Sequence, residues 1–288
     1  MKRLAFIGDI GGHAALLERV LAGLGCDVER AAMPSDLHVV QVGDLVSMAR
    51  RRGEDSNRCL AIADAMLRAN PERWTQLWGN HEISALGGPR RPMWTGGDVD
   101  ATTLERLERW WDERLAVFAF AFDAADGPWL VTHAGLTQQR WRDEGKPSAT
   151  EAARRLNAQQ RGHPRDFGRA GSLVTGQVDE RVDVVWAEVV REFYEPWLHA
   201  AGTGETIPFN QLHGHGTPWQ WATGTFFAEA SPQLRAACRV DPELRRTTTT
   251  LGALPSGGPA VAVCVDWVLL DMPSQSGVPW PVLVREID

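Results

Sequence analysis

Hydrophobic and polar positions follow one another along this chain in a strand, turn, helix rhythm. Arg3 to Gly8 is a short apolar run closed by glycine, the pattern of a buried strand. From Ala14 to Leu24, residues Leu16, Leu17, Val20, Leu21 and Leu24 recur at helical spacing and share one face. The rhythm then repeats. His38 to Gly43 reads as a strand and Ser56 to Asn70 as a helix, with Asp55 placed to cap it. Trp74 to Trp78 is a further strand, ending at Gly79-Asn80-His81-Glu82. Gly87 to Gly97 is rich in Gly, Pro and Arg and reads as a loop, after which Asp100 caps a helix carrying Leu104, Leu107, Trp111 and Leu115.

The second half is less regular. Val117 to Phe122 and Trp129 to Thr132 read as strands about a turn at Asp126-Gly127-Pro128. Residues 140–201 are mostly helical and polar, and read as an insertion, or cap, between two parts of a core. Gln211 to His213 is a short strand running into Gly214-His215-Gly216. Ala230 to Gly258, with its Thr247 to Thr250 run, is weakly patterned and reads as surface loop. Val261 to Leu270 and Val282 to Ile287 read as late strands. Strands alternating with helices predict an α/β fold, in which ligands gather at the carboxyl ends of the strands.

Composition narrows the class. At 288 residues the chain suits one large domain, 1–288, able to bury roughly three quarters of its unfolded surface without disulfides. A net charge of −7 argues against a nucleic-acid or anionic-membrane partner. Cys26, Cys59, Cys238 and Cys264 form no CxxC pair, which excludes a zinc knuckle and fits a reduced compartment. The apolar run before Asp9 is too short for a signal h-region, so the expected location is cytoplasmic. Thirteen tryptophans against one tyrosine suggest a Trp-lined core or cleft. The oligomeric state is not readable.

Five loop segments carry candidate chemistry: Gly8-Asp9 through His13, Gly43-Asp44, Gly79-Asn80-His81-Glu82, Thr132-His133-Ala134-Gly135 and His213-Gly214-His215. Each joins a side chain that can ligate a metal to a glycine that lets the backbone turn sharply and approach an ion or phosphate closely. Carboxylate, amide oxygen and imidazole together suit two divalent ions such as Mn2+, with Fe, Zn and Co as alternatives. Such ions acidify bound water and neutralise an incoming phosphate.

In this order, Asp9, Gly43-Asp44, Gly79-Asn80-His81-Glu82, His133 and Gly214-His215 resemble the calcineurin-like metallophosphoesterase family, from Arg3 to about His215. The resemblance extends to serine/threonine protein phosphatases and diadenosine tetraphosphate hydrolases within that family. It implies a four-layer αββα sandwich with a mostly helical inserted cap. It implies metal-dependent hydrolysis of a phosphate ester or phosphoanhydride by a metal-bound hydroxide at a dinuclear site. By the same resemblance Asp44 bridges the metals, Asp9 ligates the first, and Asn80, His133 and His215 ligate the second. His81 serves the leaving oxygen.

Three positions depart from the family pattern. Gly11 stands where the first motif usually has histidine, leaving either His13 or a water to complete the first ion. Ser47, Met48 and Ala49 stand where the second motif continues to an acid and an arginine, so the acid that orients the catalytic histidine is absent and Arg50 or Arg51 becomes the candidate phosphate ligand. Gly216 and Thr217 follow His215 where many members carry a second histidine. These gaps keep an alternative open: a non-catalytic metal- or phosphate-binding module with a degenerate site. The expected substrate is a phosphorylated small molecule, a nucleotide or a phosphoprotein. Trp94, Trp219 and Trp221 lie beside motif loops and are the candidates for stacking on a base.

Overall fold

A computed structural model describes residues 2–48, 55–92, 94, 99–164, 168–265 and 282–287. The chain opens with β1 (Lys2–Ile7), α1 (Ala14–Gly23), β2 (Leu37–Gln41), α2 (Ser56–Ala69), β3 (Trp74–Leu77) and α3 (Asn80–Ala85). Next come α4 (Ala101–Glu113), β4 (Ala116–Val117), β5 (Ala119–Ala124) and β6 (Gly127–Thr132). Four helices follow: α5 (Gln138–Asp143), α6 (Ala149–Ala158), α7 (Ser172–Thr175) and, after a π-helical turn at Val189–Tyr194, α8 (Glu195–Gly202). The remainder is β7 (Asn210–His213), β8 (Trp219–Gln220), β9 (Thr225–Phe226), α9 (Pro232–Ala237), β10 (Cys238–Asp241), β11 (Arg246–Ala253), β12 (Pro259–Cys264) and β13 (Val282–Ile287).

The strands form a mixed α/β architecture of several sheets. One has the order β13-β1-β2-β3-β4, with β1 to β4 parallel and β13 antiparallel to β1. A second has the order β10-β11-β12-β7-β6-β5, with β6, β7 and β12 mutually parallel, and β8 and β9 pair in a small two-stranded sheet. Alternation along the strands gives each sheet two apolar faces. Leu4, Phe6, Val40, Val42 and Leu77 of the first sheet pack with Trp129, Val131, Leu212, Val263 and Val265 of the second. The opposite faces, through Ala5, Ile7, Val39, Leu130, Ala260 and Ala262, join the apolar sides of the helices.

Helix ends follow their capping residues. Asp55 accepts from the Arg58 N–H at the start of α2, and Asp100 from the Thr103 N–H at the start of α4. Trp74, Trp78, Trp110, Trp111, Trp129, Trp141, Trp186 and Trp197 are buried, so most of the thirteen tryptophans are core. The four cysteines are free. Among the described residues no helix is long and apolar enough to cross a membrane.

Three sequence expectations need correction. The 230–258 segment is not surface loop: it holds α9, β10 and β11, and β11 lies between β10 and β12. Thr247 and Thr249 are fully buried there while Thr248 and Thr250 face the other way. Threonine is β-branched and suits a pleated surface, but a hydropathy pattern scores it as polar and hides the strand. Gly127 and Pro128 belong to β6 rather than to the turn, because Pro128 pairs with edge strand β5. The GNHE segment is not a loop before a helix; helix α3 begins on Asn80 itself. Of the strand expected from Val261 to Leu270, β12 covers the first part, and Asp266 and beyond lie outside the described residues.

Glu205 ties the segment after α8 to α5 and its exit loop. Its carboxylate accepts from Arg142, Lys146 and Gln138 at 2.5, 2.6 and 2.8 Å. Burial opposes ionisation, but Arg142, Lys146 and Gln138 hold the acid down at about 2. A depressed carboxyl contributes stability above its unfolded value near 4.5 and loses it as pH falls toward 2. Glu205→Gln is therefore expected to lower Tm at pH 7, with the gap to wild type narrowing as pH falls from 4.5. A gap that stays constant across acid pH scans would refute the ion-pair origin.

Candidate metal centre and active site

The carboxyl ends of β1, β2, β3, β6 and β7 deliver Asp9, Asp44, Asn80, His133 and His215 to one place. The loops are cross-tied. The Asp44 carbonyl accepts from the Ile10 and Gly11 N–H groups at 2.9 and 2.7 Å, locking the loop after β1 against the loop after β2. The His215 N–H lies 3.2 and 3.1 Å from the two carboxylate oxygens of Asp9. His215 and Asp44 both have positive φ, +63° and +55°, backbone conformations that side chains other than glycine seldom adopt outside constrained sites.

Glycines permit the close passage of the loops after β2 and β3. A Cβ on Gly43 would lie 2.6 Å from the backbone of Gly79, and one on Gly79 would strike the Asp44 carboxylate. The two loops pass backbone to backbone, which is why the Gly-Asp and Gly-Asn-His-Glu segments occur as they do.

Glu82 joins these loops from beneath. One carboxylate oxygen accepts from the Asp44 and Gly79 N–H groups, both at 2.9 Å, and the other from Val46 N–H at 3.0 Å. Burial, reinforced by the nearby Asp44 charge, pushes its carboxyl up to about 7, against the pull of these donors.

The hydrogen bonds determine where lone pairs point. A backbone carbonyl only accepts, so Nδ1 of His133, 2.8 Å from the Val42 carbonyl, carries the proton. Burial pushes the His133 pKa down to about 3, so the ring is neutral and its Nε2 presents a lone pair. That lone pair meets Asn80 Oδ1 at 2.9 Å and Asp44 Oδ1 at 3.5 Å. Asn80 Oδ1 also lies 2.9 Å from His215 Nδ1, while among the described residues His215 Nε2 and Asn80 Nδ2 are buried without a partner. Turning the amide over would instead let Nδ2 donate to the His133 Nε2 lone pair and leave Oδ1 as the stranded atom. Burial also drives the His215 pKa well down and that of the Asp44 carboxyl up.

With the amide oxygen toward the rings, acceptors converge with too few protons between them. This donor set fits a divalent cation, which satisfies the facing lone pairs and restores Asp44 as a carboxylate. Asp44, His133 and His215 have ligand atoms within 4.8 Å of one another, the one such group among the described residues. Asn80 adds a neutral oxygen to that triad. Asp9 stands at its edge, 4.0 Å from His133 Nδ1. His13 precedes α1 as its N-cap residue, makes no side-chain cap bond and is not part of the triad.

His81 sits on the other side of Asp44, its Nε2 3.4 Å from Asp44 Oδ2. Its Nδ1 donates to the Val46 carbonyl at 2.8 Å, and its backbone N–H donates to Asp44 Oδ1 at 2.9 Å. The orienting task left open at Ser47, Met48 and Ala49 thus falls to a backbone carbonyl. No side-chain motif announces a carbonyl, so sequence reasoning had no signal for it.

Not every candidate comes to this place. Arg50 and Arg51 lie outside the described residues. His213 faces away from the triad, with Nε2 2.8 Å from the Tyr194 hydroxyl. Trp219 packs edge-on against Phe226, and Trp221 lies under Arg245. Trp94 does reach the site, 4.7 Å edge-on to His81, and Trp186 lies 6.5 Å from His215. Sequence reading missed Arg91, whose guanidinium is close enough to act on the charge of Asp44 and His215. Its available signal was an Arg-Arg pair in the loop directly after the GNHE segment.

Among solved structures, the chain is similar to phosphatases. One is a cold-active protein-tyrosine phosphatase of a psychrophilic Shewanella species, at 14% identity and a TM-score of 0.48, covering 81% of this chain and 72% of that one. Another is a protein serine/threonine phosphatase from Saccharomyces cerevisiae with similarity to human phosphatase PP5, at 12% identity and a TM-score of 0.46, covering 95% and 82%. No family model matches the chain, and no curated protein matches it in sequence.

Proposed function

We propose that the chain is a metal-dependent phosphoesterase of the calcineurin-like type, cleaving a phosphate ester or phosphoanhydride at a dinuclear site. The observation carrying this reading is the convergence of ligand atoms of Asp44, Asn80, His133 and His215, with His81 beside Asp44. We read the fold as a single domain, 1–288, in four αββα layers, with 140–201 as a helical cap. Support for the cap is Trp186 close to His215, and the Val184 carbonyl bonded to Ala134 N–H beside His133.

Asp44 would bridge two ions, with Asp9 and either His13 or water completing the first and Asn80, His133 and His215 the second. When bound, divalent ions supply Lewis acidity, charge neutralisation and an acidified water. Mn2+ suits the mixed carboxylate, amide and imidazole set, with Fe, Zn and Co as alternatives. The carbonyls of Val42 and Val46 fix the His133 and His81 tautomers, so neither ring reorients during the reaction. His81 Nε2 is the position from which a proton reaches the leaving oxygen, because Nδ1 is committed to Val46. The substrate is a phosphorylated small molecule, a nucleotide or a phosphoprotein, in the cytoplasm.

Metal analysis of purified protein, with a screen of phosphomonoesters, phosphodiesters and dinucleoside polyphosphates in added Mn2+, tests the reading. The expected result is about two ions per chain and turnover that falls sharply in His81→Ala. A second reading, a binding module with one ion and no turnover, is favoured by the single three-ligand group among the described residues. One ion per chain with no hydrolysis of any substrate would establish that module instead.

A further inference from the structure

Arg91 has the attributes of an anion ligand with nothing to bind. Among the described residues its guanidinium makes no hydrogen bond or ion pair, and its Nε is buried without a partner. It faces the carboxylates of Asp44 and Glu188, both of which favour its charged form against the cost of burial. A guanidinium stays charged, so leaving its buried Nε donor unmet is costly until an acceptor arrives.

The loop holding Arg91 is anchored at the site. Ser84 Oγ bonds the Asn80 carbonyl at 2.7 Å and the Pro89 carbonyl at 2.5 Å, tying the residues before Arg91 to the start of α3. The Gly88 N–H donates to the Ile83 carbonyl at 2.9 Å. Arg91 then lies over Trp94, 5.6 Å from the ring centre. The same indole meets His81 edge-on at 4.7 Å and Trp186 at 5.7 Å. With Arg91, His81 and Trp186 around it, Trp94 is already engaged and serves poorly as a platform for a base. It holds a cation and an imidazole at a fixed spacing.

We propose that Arg91 binds the non-bridging oxygens of the substrate phosphate, and that Trp94 is the positioning residue that sets Arg91 beside His81. The assignment rests on the phosphoesterase reading. It moves the arginine from the loop after Asp44, where Arg50 and Arg51 were the candidates, to the loop after α3. The planar guanidinium matches two phosphate oxygens at once, and a lysine at the same place offers a single point charge.

Calorimetric titration of inorganic phosphate into Mn2+-loaded protein tests this. Arg91→Ala is expected to weaken phosphate binding about ten- to hundredfold, the range for losing a charge-assisted pair. KM for 4-nitrophenyl phosphate should rise in step, with metal content unchanged. Arg91→Lys should fall between, and Arg90→Ala should match wild type. Trp94→Leu should also weaken phosphate binding, with Trp94→Phe restoring most of it. Wild-type phosphate affinity and KM in Arg91→Ala would overturn the assignment, as would a loss seen only in Arg50→Ala or Arg51→Ala. Unchanged affinity in Trp94→Leu would overturn its positioning role. Failure of metal-loaded wild type to bind phosphate overturns the Arg91 assignment alone. Protein that takes up no metal overturns the phosphoesterase reading beneath it.

Discussion

Asp44→Asn is expected to abolish turnover, by a thousandfold or more, while leaving the fold in place. The amide keeps an oxygen for the His81 N–H, now 2.9 Å from Asp44 Oδ1, so the crossing of the two loops survives. What would go is the charge that the proposed function has both ions share, and preorganised electrostatic contacts are worth about a hundred- to thousandfold even singly. Metal content should fall below wild type. Stability without metal should move the other way. Burial raises the Asp44 carboxyl's pKa in the folded state, so the native protein holds a proton that the unfolded chain releases. Metal-free wild type therefore loses stability as pH rises through the carboxyl's range, and an uncharged amide has no such loss. After chelation, Asp44→Asn should melt no lower than wild type at neutral pH, and higher at alkaline pH. Full activity in this variant, or a chelated variant that melts well below wild type, would remove Asp44 from its bridging place.

His81→Ala should reduce kcat by about a hundred- to ten-thousandfold, the usual worth of a positioned acid or base. It should leave metal content intact, since His81 is outside the Asp44, His133 and His215 group. The size of the loss should depend on the leaving group. A 4-nitrophenolate departs readily without a proton, whereas an alkoxide needs one. The deficit should therefore be smaller for 4-nitrophenyl phosphate than for an alkyl phosphate. An equal deficit for both substrates would mean that His81 does something other than serve the leaving oxygen. Loss of metal in the variant would make it a ligand.

Side chains at strand ends were legible in the sequence because glycine marks them. Asp44, Asn80 and His215 each stand beside a glycine that the backbone needs for close passage, Asp9 and His133 each lie two residues before a glycine of positive φ, and the same five are brought together in space. Two kinds of information were not legible. Backbone atoms carry no residue identity, so the carbonyls of Val42 and Val46 that fix His133 and His81 leave no trace in a motif. Polar residues that pack as β-branched ones defeat a hydropathy pattern, which is how the Thr247 to Thr250 strand, inside a six-stranded sheet, passed for surface loop. Arg91 was visible only as one of many arginines, because an anion ligand in an irregular loop has no period to betray it.

Glu82 gives the centre a mechanical property of its own. A single carboxylate clasps Asp44, Val46 and Gly79, so the walls contributed by β2 and β3 stand as one rigid body before any ligand enters. The entropy of immobilising those walls is lost once, during folding, and is not lost again at each catalytic cycle. On the proposed function, ions and product would then exchange without the wall unravelling, while the facing Arg91–Trp94 side stands outside this clasp.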